Sequence, residues 1–217
     1  TSTFTIEGLE AREVRVEVDV HRGLPNFQII GLPDAAVREA RERVRAAMVN
    51  SGFEFPLRRI TACLSPADLR KAGPALDLAL ASALLVAAGE IEASQIAGWD
   101  LVAELSLDGS LRPVRGALAM AEASKALGSE GILVPPGNGS EAAMVDGLKV
   151  RTIDNLAELR TFGKEDEGDI PTPARIENPT DLPDLADLRG QDELRRSLEV
   201  AAAGGPSLLI VGPPGTG

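Results

Sequence analysis

The stretch Arg12-Glu-Val-Arg-Val-Glu-Val-Asp-Val20 decides the fold at the amino-terminal end of the chain. Valine occupies every second position from Val14 to Val20, and charged side chains fill the positions between them. A period of two indicates a β-strand with one buried face. The turn residues His21 to Pro25 follow, and then Phe27-Gln-Ile-Ile30, which we predict to be a second strand paired with the first as a hairpin.

A helix follows these strands. Gly31-Leu-Pro-Asp34 precedes apolar residues at helical spacing, which are Val37, Ala40, Val44, Ala47 and Met48. Asp34 is expected to cap the helix, because its carboxylate can accept hydrogen bonds from the first free backbone amides. Further along, Leu76 to Ala88 is almost entirely Ala, Leu and Val, which predicts a buried helix that ends at Gly89. Asp108-Gly109 predicts a hairpin turn between two strands.

The composition excludes several classes of protein. The 217 residues carry 33 acidic and 22 basic side chains, a net charge of −11 that does not suit a histone-like nucleic-acid coat. Aromatic residues make up 3%, which argues against a surface that stacks bases on aromatic rings, as single-strand binding folds do. A single cysteine, Cys63, and a single histidine, His21, leave too few ligands for a cysteine zinc site or a histidine triad, so no metal site is predicted. No apolar run is long enough to span a membrane, and a cytoplasmic α/β protein is expected.

The charge and proline content change sharply after Gly163. Residues Lys164 to Asp187 contain four prolines and eight acidic residues against two basic ones, a composition typical of an extended, solvated linker. We therefore divide the chain into a folded domain (1–163), an acidic, proline-rich linker (164–187) and the start of a second module (188–217). Asp192 to Ala203 is predicted to be a helix in that module.

A phosphate-loop pattern closes the sequence. Ser207-Leu-Leu-Ile-Val211 predicts an apolar strand, and Gly212-Pro-Pro-Gly-Thr-Gly217 fits the first six positions of G-x-x-x-x-G-K-[ST]. In that motif, glycines let backbone amides approach the phosphates, Lys neutralises phosphate charge and Ser/Thr holds Mg²⁺. The nucleotide-binding candidates are therefore Gly212, Pro213, Pro214, Gly215, Thr216 and Gly217. We expect a piece of a longer ATPase that does not itself hydrolyse ATP, since the Lys and the Mg²⁺ ligand would come next.

Several blocks together resemble the magnesium-chelatase-like ATPases of the YifB/ComM family. They are Phe27-Gln-Ile-Ile-Gly-Leu-Pro33, Arg43-Val-Arg-Ala-Ala47, Asn50-Ser-Gly-Phe-Glu-Phe-Pro56, Leu64-Ser-Pro-Ala-Asp-Leu69, Asp108-Gly-Ser-Leu-Arg-Pro-Val-Arg-Gly116 and Asp187-Leu-Arg-Gly-Gln191. The resemblance implies an α+β fold: a domain like ribosomal protein S5 domain 2, also called Lon protease domain-like, followed by the start of a AAA+ P-loop module. It further implies a homo-hexameric parent that uses ATP and Mg²⁺ to act on branched DNA in recombination or natural transformation. For this chain alone, no cofactor, no membrane partner, and a monomer or weak dimer are expected.

The first domain is also similar to the Lon protease catalytic domain, whose chemistry uses a Ser–Lys dyad. The stretch Arg70-Lys-Ala-Gly-Pro-Ala-Leu-Asp77 places Ala75 at the Ser position, and Pro113-Val-Arg-Gly-Ala-Leu118 places Leu118 at the Lys position. Neither side chain can act as a nucleophile or accept a proton. No catalytic residue is therefore predicted. Lys71 is expected to be solvated, Ser82 to be a core hydroxyl bonded back along its helix, and Asp77 to form an internal ion pair.

Arginines define a second candidate surface. Arg38, Arg41 and Arg45 share one helix face, with Arg58 and Arg59 in a neighbouring segment, and these five form a candidate DNA or partner face. The same pattern suits a solvated helix whose arginines pair with Glu39 and Glu42. Two alternatives to DNA handling stay open: a scaffold domain that sets oligomer geometry without nucleic-acid contact, and a Lon-type peptidase, against which Ala75 and Leu118 argue.

Overall fold

The computed structural model describes residues 1–164, 169–174, 184–187, 190–205 and 207–213. The chain divides into two compact units, Thr1–Ala174 and Arg175–Gly217. The described strands are β1 (Ser2–Glu7), β2 (Glu10–His21), β3 (Asn26–Ile30), β4 (Arg59–Ser65), β5 (Trp99–Leu101), β6 (Glu104–Leu105), β7 (Leu111–Arg112), β8 (Gly131–Val134) and β9 (Lys149–Thr152). The described α-helices are α1 (Ala35–Asn50), α2 (Asp77–Ala88), α3 (Ala117–Leu127), α4 (Pro136–Ala142) and α5 (Asp192–Gly204).

A mixed, mostly parallel sheet forms the centre of the first unit. Its seven strands follow the order β3-β4-β2-β1-β5-β8-β9. The pairs β4–β2 and β2–β1 are antiparallel, and the other four pairs are parallel. The predicted hairpin at Asp108-Gly109 is confirmed as a separate two-stranded sheet of β6 and β7. The mixed α/β character agrees with the predicted class.

The pairing of β3 differs from the sequence prediction. Phe27 to Ile30 form a strand as expected, but this strand pairs in parallel with β4, which lies between it and β2. The reason is the crossover: α1 connects β3 to β4, and a helical crossover places its two strands parallel and adjacent. Gly31 adjusts the chain at this point. With φ at +102° it brings the backbone so close to the Leu64 carbonyl that a Cβ atom there would overlap it.

Two apolar cores cover opposite faces of the sheet. In β8, Leu133 joins the core that contains the buried residues of α1 and α2, whereas Ile132 and Val134 join the core that contains residues of α3 and α4. Alternate side chains of a strand point to opposite faces, so helices pack on both. The apolar residues predicted for α1, namely Val37, Ala40, Val44, Ala47 and Met48, are all buried, and Asp34 caps this helix by accepting from the Val37 amide at 2.8 Å.

An ion pair joins three elements beside the first core. Asp77 begins α2, is fully buried and accepts two hydrogen bonds from the Arg43 guanidinium of α1, at 2.6 and 2.9 Å. The backbone amide of Leu105 in β6 donates to the same carboxylate at 3.2 Å. Burial raises the pKa of Asp77, and the hydrogen bonds and charge of Arg43 oppose that rise. The predicted internal ion pair of Asp77 is confirmed, with Arg43 as its partner.

The second unit is described only in part. Its helix α5 confirms the prediction for Asp192 to Ala203, and a short 3₁₀ turn spans Leu185–Asp187. The predicted strand Ser207–Val211 is not formed, and the apolar side chains from Leu208 to Val211 are exposed. A buried apolar strand needs neighbours that bond its backbone, and the described residues of this unit contain no strand to pair with it. Throughout the described residues, no helix is long and apolar enough to cross a membrane.

Replacing Arg43 with Met tests the ion pair. At pH 7 we expect the free energy of unfolding to fall by about 3 kcal/mol, because the substitution leaves a buried carboxylate without its charge partner. This loss should shrink towards pH 4. The native state of the variant binds the Asp77 proton more tightly than the unfolded chain does, so stability falls as pH rises through the raised pKa.

Urea unfolding between pH 4 and pH 8 measures this dependence. The double variant Arg43→Met/Asp77→Asn is the control, because it has no buried carboxylate at this position and should lose the added pH dependence. A loss in Arg43→Met that is the same at every pH would contradict the assignment.

Candidate functional site

The arginine face lies on α1 and on the segment that leads into β4. Arg38, Arg41 and Arg45 are exposed on α1, as are Arg58 in the loop and Arg59 at the start of β4. None of the ion pairs among the described residues includes any of these five arginines. The pairing of this face with Glu39 and Glu42, which the sequence left open, is therefore not seen in the described part of the chain.

Backbone carbonyls hold two of these side chains in place. The Arg38 guanidinium donates twice to the Pro33 carbonyl, at 3.0 and 3.2 Å. Arg41 donates to the carbonyl of Arg38 at 3.0 Å and to that of Phe27 at 3.3 Å. A guanidinium carries five N–H donors and keeps its charge at all physiological pH values. Each of the two therefore keeps donors and a full positive charge for an anionic partner.

The five arginines divide between two depressions. Arg41, Arg45 and Arg58 line a groove of about 270 Å³. Arg59 instead borders a separate depression together with His21 and Arg22, and Arg38 lies by the amino-terminal end of α1, against Pro33. The structure thus brings three of the five predicted arginines together. Sequence reasoning missed the aromatic part of that groove, formed by Phe27 and Phe55.

A second cleft contains Ala75. This residue belongs to a 3₁₀ turn, Pro74–Leu76, that leads directly into α2, and its methyl group lines a cavity of about 430 Å³. Glu104 and Arg115 supply the charged side chains of the lining, and Thr5 supplies a hydroxyl. That hydroxyl donates to the Ala72 carbonyl at 3.3 Å. Leu118 lies in the first turn of α3, where its backbone amide donates to Glu141 at 3.0 Å. Ala75 offers only a methyl group to this cleft, and Leu118 is not part of its lining.

Lys71 and Ser82 each differ from the prediction in one respect. Lys71 is fully buried rather than solvated, and its Nζ donates to the Pro66 carbonyl. Burial lowers the pKa of Lys71, and the charge of Asp68 partly opposes that shift. The loop carries it inward because its backbone pairs with the segment before α1, where the Lys71 amide donates to Leu32 and the Asp34 amide donates to Lys71. Ser82 is buried as predicted, but its hydroxyl has no hydrogen-bond partner among the described residues.

The phosphate-loop residues are described only at their start. Gly212 and Pro213 are exposed, whereas Pro214, Gly215, Thr216 and Gly217 lie outside the described residues. The nucleotide-binding assignment therefore stays a prediction. Among the described residues, no three His, Cys, Asp or Glu side chains lie close enough together to hold a metal ion.

A serine-directed fluorophosphonate probe tests the cleft around Ala75. We expect no covalent adduct on the intact protein by mass spectrometry, because a methyl group stands where a Lon-type nucleophile would. The variant Ala75→Ser should also stay unlabelled, since neither lysine nor histidine lines the cleft to take the serine proton. A Lon-type protease labelled in parallel is the positive control, and an adduct on the unmodified chain would contradict the assignment.

Comparisons with known proteins place the chain in a family. The sequence profile described as subunit ChlI of Mg-chelatase matches residues 16–138, and the one described as magnesium chelatase, subunit ChlI, matches residues 184–217.

The chain is also similar to individual bacterial proteins. It is 42% identical to an uncharacterized protein of Mycobacterium tuberculosis over 99% of its length. It is 40% identical to the uncharacterized protein YifB of Escherichia coli and 36% identical to the competence protein ComM of Haemophilus influenzae, in each case over 97% of the chain. These matches cover 42–43% of the relatives, so the chain spans less than half of their length. The chain belongs to the Mg-chelatase-like family that includes YifB and ComM.

Proposed function

We propose that this chain is the amino-terminal, non-proteolytic part of an ATP-driven motor that acts on branched DNA, and that its arginine face contacts the DNA. The observation that carries the proposal is the arginine face itself: five exposed guanidinium groups on α1 and the adjoining segment, outside the ion pairs of the described residues. The name of the relative ComM, a competence protein, supports a role in natural transformation or recombination.

Local charge supports the proposal despite the net charge of −11. Eight acidic and two basic residues fall in the linker between Lys164 and Asp187, so residues 1–163 carry 22 acidic and 17 basic side chains, a net charge of −5. Electrostatic attraction to DNA depends on the charge near the phosphates, because salt screens charges beyond about 8–10 Å. A basic face on α1 can therefore act on DNA independently of acidic residues elsewhere in the chain.

The parent protein in this proposal uses ATP and Mg²⁺ and works as a homo-hexamer. Membership of the Mg-chelatase-like family supports the nucleotide, and so does the sequence from Gly212 to Gly217, which fits the first part of a phosphate loop. Backbone amides of such a loop would cradle phosphates, with Lys and Ser/Thr supplying charge and a Mg²⁺ ligand.

A scaffold role is the second candidate, and the outer edge of β3 favours it. β3 is the edge strand of the main sheet, and Leu24 and Leu32 on either side of it are 88% and 55% exposed. An edge strand with apolar side chains nearby is a ready site for pairing with another chain. In this reading the first unit sets the geometry of the oligomer and makes no nucleic-acid contact.

DNA binding measured against salt separates the two candidates. We expect the chain to bind a fluorescein-labelled four-way DNA junction, with fluorescence anisotropy showing an affinity that falls steeply between 50 and 200 mM salt. Three neutralised phosphates would give a slope of log K against log salt of about −3. The variant Arg41→Gln/Arg45→Gln should bind more weakly at every salt concentration and reduce the magnitude of that slope by about 2.

The control variant is Arg15→Gln/Arg12→Gln, which removes two exposed arginines of β2 that pair with Glu13 and Glu10. This variant should keep the slope of the unmodified chain. No measurable binding to the junction at 50 mM salt would overturn DNA contact and leave the scaffold role.

A further inference from the structure

The groove that contains Arg41, Arg45 and Arg58 also contains two phenyl rings. We call it the aromatic groove. It lies between the start of β3, the middle of α1 and the loop before β4, and its remaining lining includes Pro25, Pro56 and Glu42. The chain has only five phenylalanines, and two of them, Phe27 and Phe55, meet here with three arginines. Aromatic residues are thus rare in the whole sequence, but two of them lie together in this groove.

The two rings are fixed against the protein interior. Phe27 and Phe55 are half-buried and pack against the core of α1 and α2. Their centroids are 6.3 Å apart, and the ring planes are inclined by 46°. The Arg45 guanidinium lies over the Phe55 ring, with its central carbon 5.5 Å from the ring centroid. A guanidinium over an aromatic ring is attracted by the quadrupole of the ring. This attraction orders the Arg45 guanidinium against Phe55, so that planar groups line the groove before any ligand binds.

Positive charge surrounds these flat groups. Arg41 is oriented by its hydrogen bond to the Phe27 carbonyl at 3.3 Å, which directs it to the same groove. Arg58 lines the groove from the loop, and Glu42 is the one carboxylate in the lining. Three guanidinium groups against one carboxylate give the groove a net positive charge. Its ligand is therefore expected to carry negative charge beside a planar apolar group.

The volume of the aromatic groove limits the size of that ligand. At about 270 Å³ it falls just below the range of roughly 300–1,000 Å³ that encloses drug-sized molecules. This volume suits a ligand that places one planar group in the groove, while the rest of the ligand continues outside the groove on both sides. A nucleotide in a single strand has this form, with a flat base that stacks on aromatic rings or guanidinium planes and a phosphate at each side. A base within a duplex cannot enter, because both its faces are stacked.

We propose that the aromatic groove holds one unpaired nucleotide of single-stranded DNA. The base packs against the rings of Phe55 and Phe27 beside the Arg45 guanidinium. Arg41 and Arg58 contact the phosphates on either side of that base. This inference rests on the proposed function, and it adds a preference: the arginine face binds any DNA through charge, whereas the groove selects strands with unpaired bases.

The experiment compares the affinity of the chain for a 20-nucleotide oligo-dT with its affinity for a 20-base-pair duplex, by fluorescence anisotropy at one salt concentration. The variant Phe55→Leu keeps apolar volume but removes the ring. We expect it to weaken oligo-dT binding by about tenfold, the effect of losing one stacked base, and to leave duplex binding within about twofold. Arg58→Gln should weaken binding to both DNA forms and lower the salt slope by about 1.

Phe53→Leu is the matched control. Phe53 is another phenylalanine of the same segment, but it is buried and lies under Arg160, at 4.1 Å, outside the aromatic groove. This variant should keep both DNA affinities, and thermal melting by circular dichroism shows whether either variant has lost its fold. A photo-crosslinked oligonucleotide containing 5-iododeoxyuridine should attach to the peptide that carries Phe27 or Phe55.

The outcomes separate this inference from the proposed function. Salt-sensitive binding without a preference for oligo-dT, or a folded Phe55→Leu variant with unchanged oligo-dT affinity, overturns the aromatic groove and leaves the arginine face intact. Absence of binding to the junction, the duplex and oligo-dT at 50 mM salt overturns both. Crosslinks that map only outside Phe27 and Phe55 also overturn the inference.

Discussion

The buried carboxylate of Asp77 is the constraint on which the arrangement of the first unit depends. A charged group with no exposure to water must find its hydrogen bonds within the protein, and Asp77 finds them in Arg43 of α1 and in the Leu105 amide of β6. Three elements that are distant in sequence must therefore meet at one point. Arg43 bonds from the side of α1 next to α2, which leaves Arg38, Arg41 and Arg45 on the exposed side. The ion pair thus fixes which face of α1 is free for a partner.

Local pattern was enough to predict α1, α2 and α5, and the Asp34 cap that begins α1. The spacing of Val37, Ala40 and Val44 defined the buried side of α1, and the turn at Asp108-Gly109 defined the β6–β7 hairpin. The pairing of β3 could not be obtained in this way. Adjacent strands in sequence suggested a hairpin, but the helix that follows β3 returns the chain to a parallel neighbour, and this depends on the sheet as a whole.

The candidate sites show a similar division. Residue types alone identified the arginines, because exposed charge on one helix face is a property of local spacing. The groove that collects Arg41, Arg45 and Arg58 around Phe27 and Phe55 joins three separate segments, and no spacing in the sequence reveals it. The prediction of a solvated Lys71 was wrong for the same reason. A lysine in a loop is expected to be solvated, and only the structure shows that the backbone of this loop pairs with Leu32 and Asp34. The resemblance singled out Ala75 by its position in a motif, and only the structure shows the cleft that this residue lines.

The position of β1 inside the sheet has a consequence for synthesis on the ribosome. β1 can pair with β2 as soon as both have emerged. β4 and β3 complete that half of the sheet once the chain has been made as far as Ser65. The other edge of β1 waits for β5, which aligns Asp100 beside Ser2. Until that later segment has emerged, an exposed strand edge is available to other chains, and such edges favour aggregation during folding. Vectorial synthesis therefore leaves this chain with an intermediate that is prone to aggregation, and the lifetime of that intermediate depends on the translation of the segment between β4 and β5.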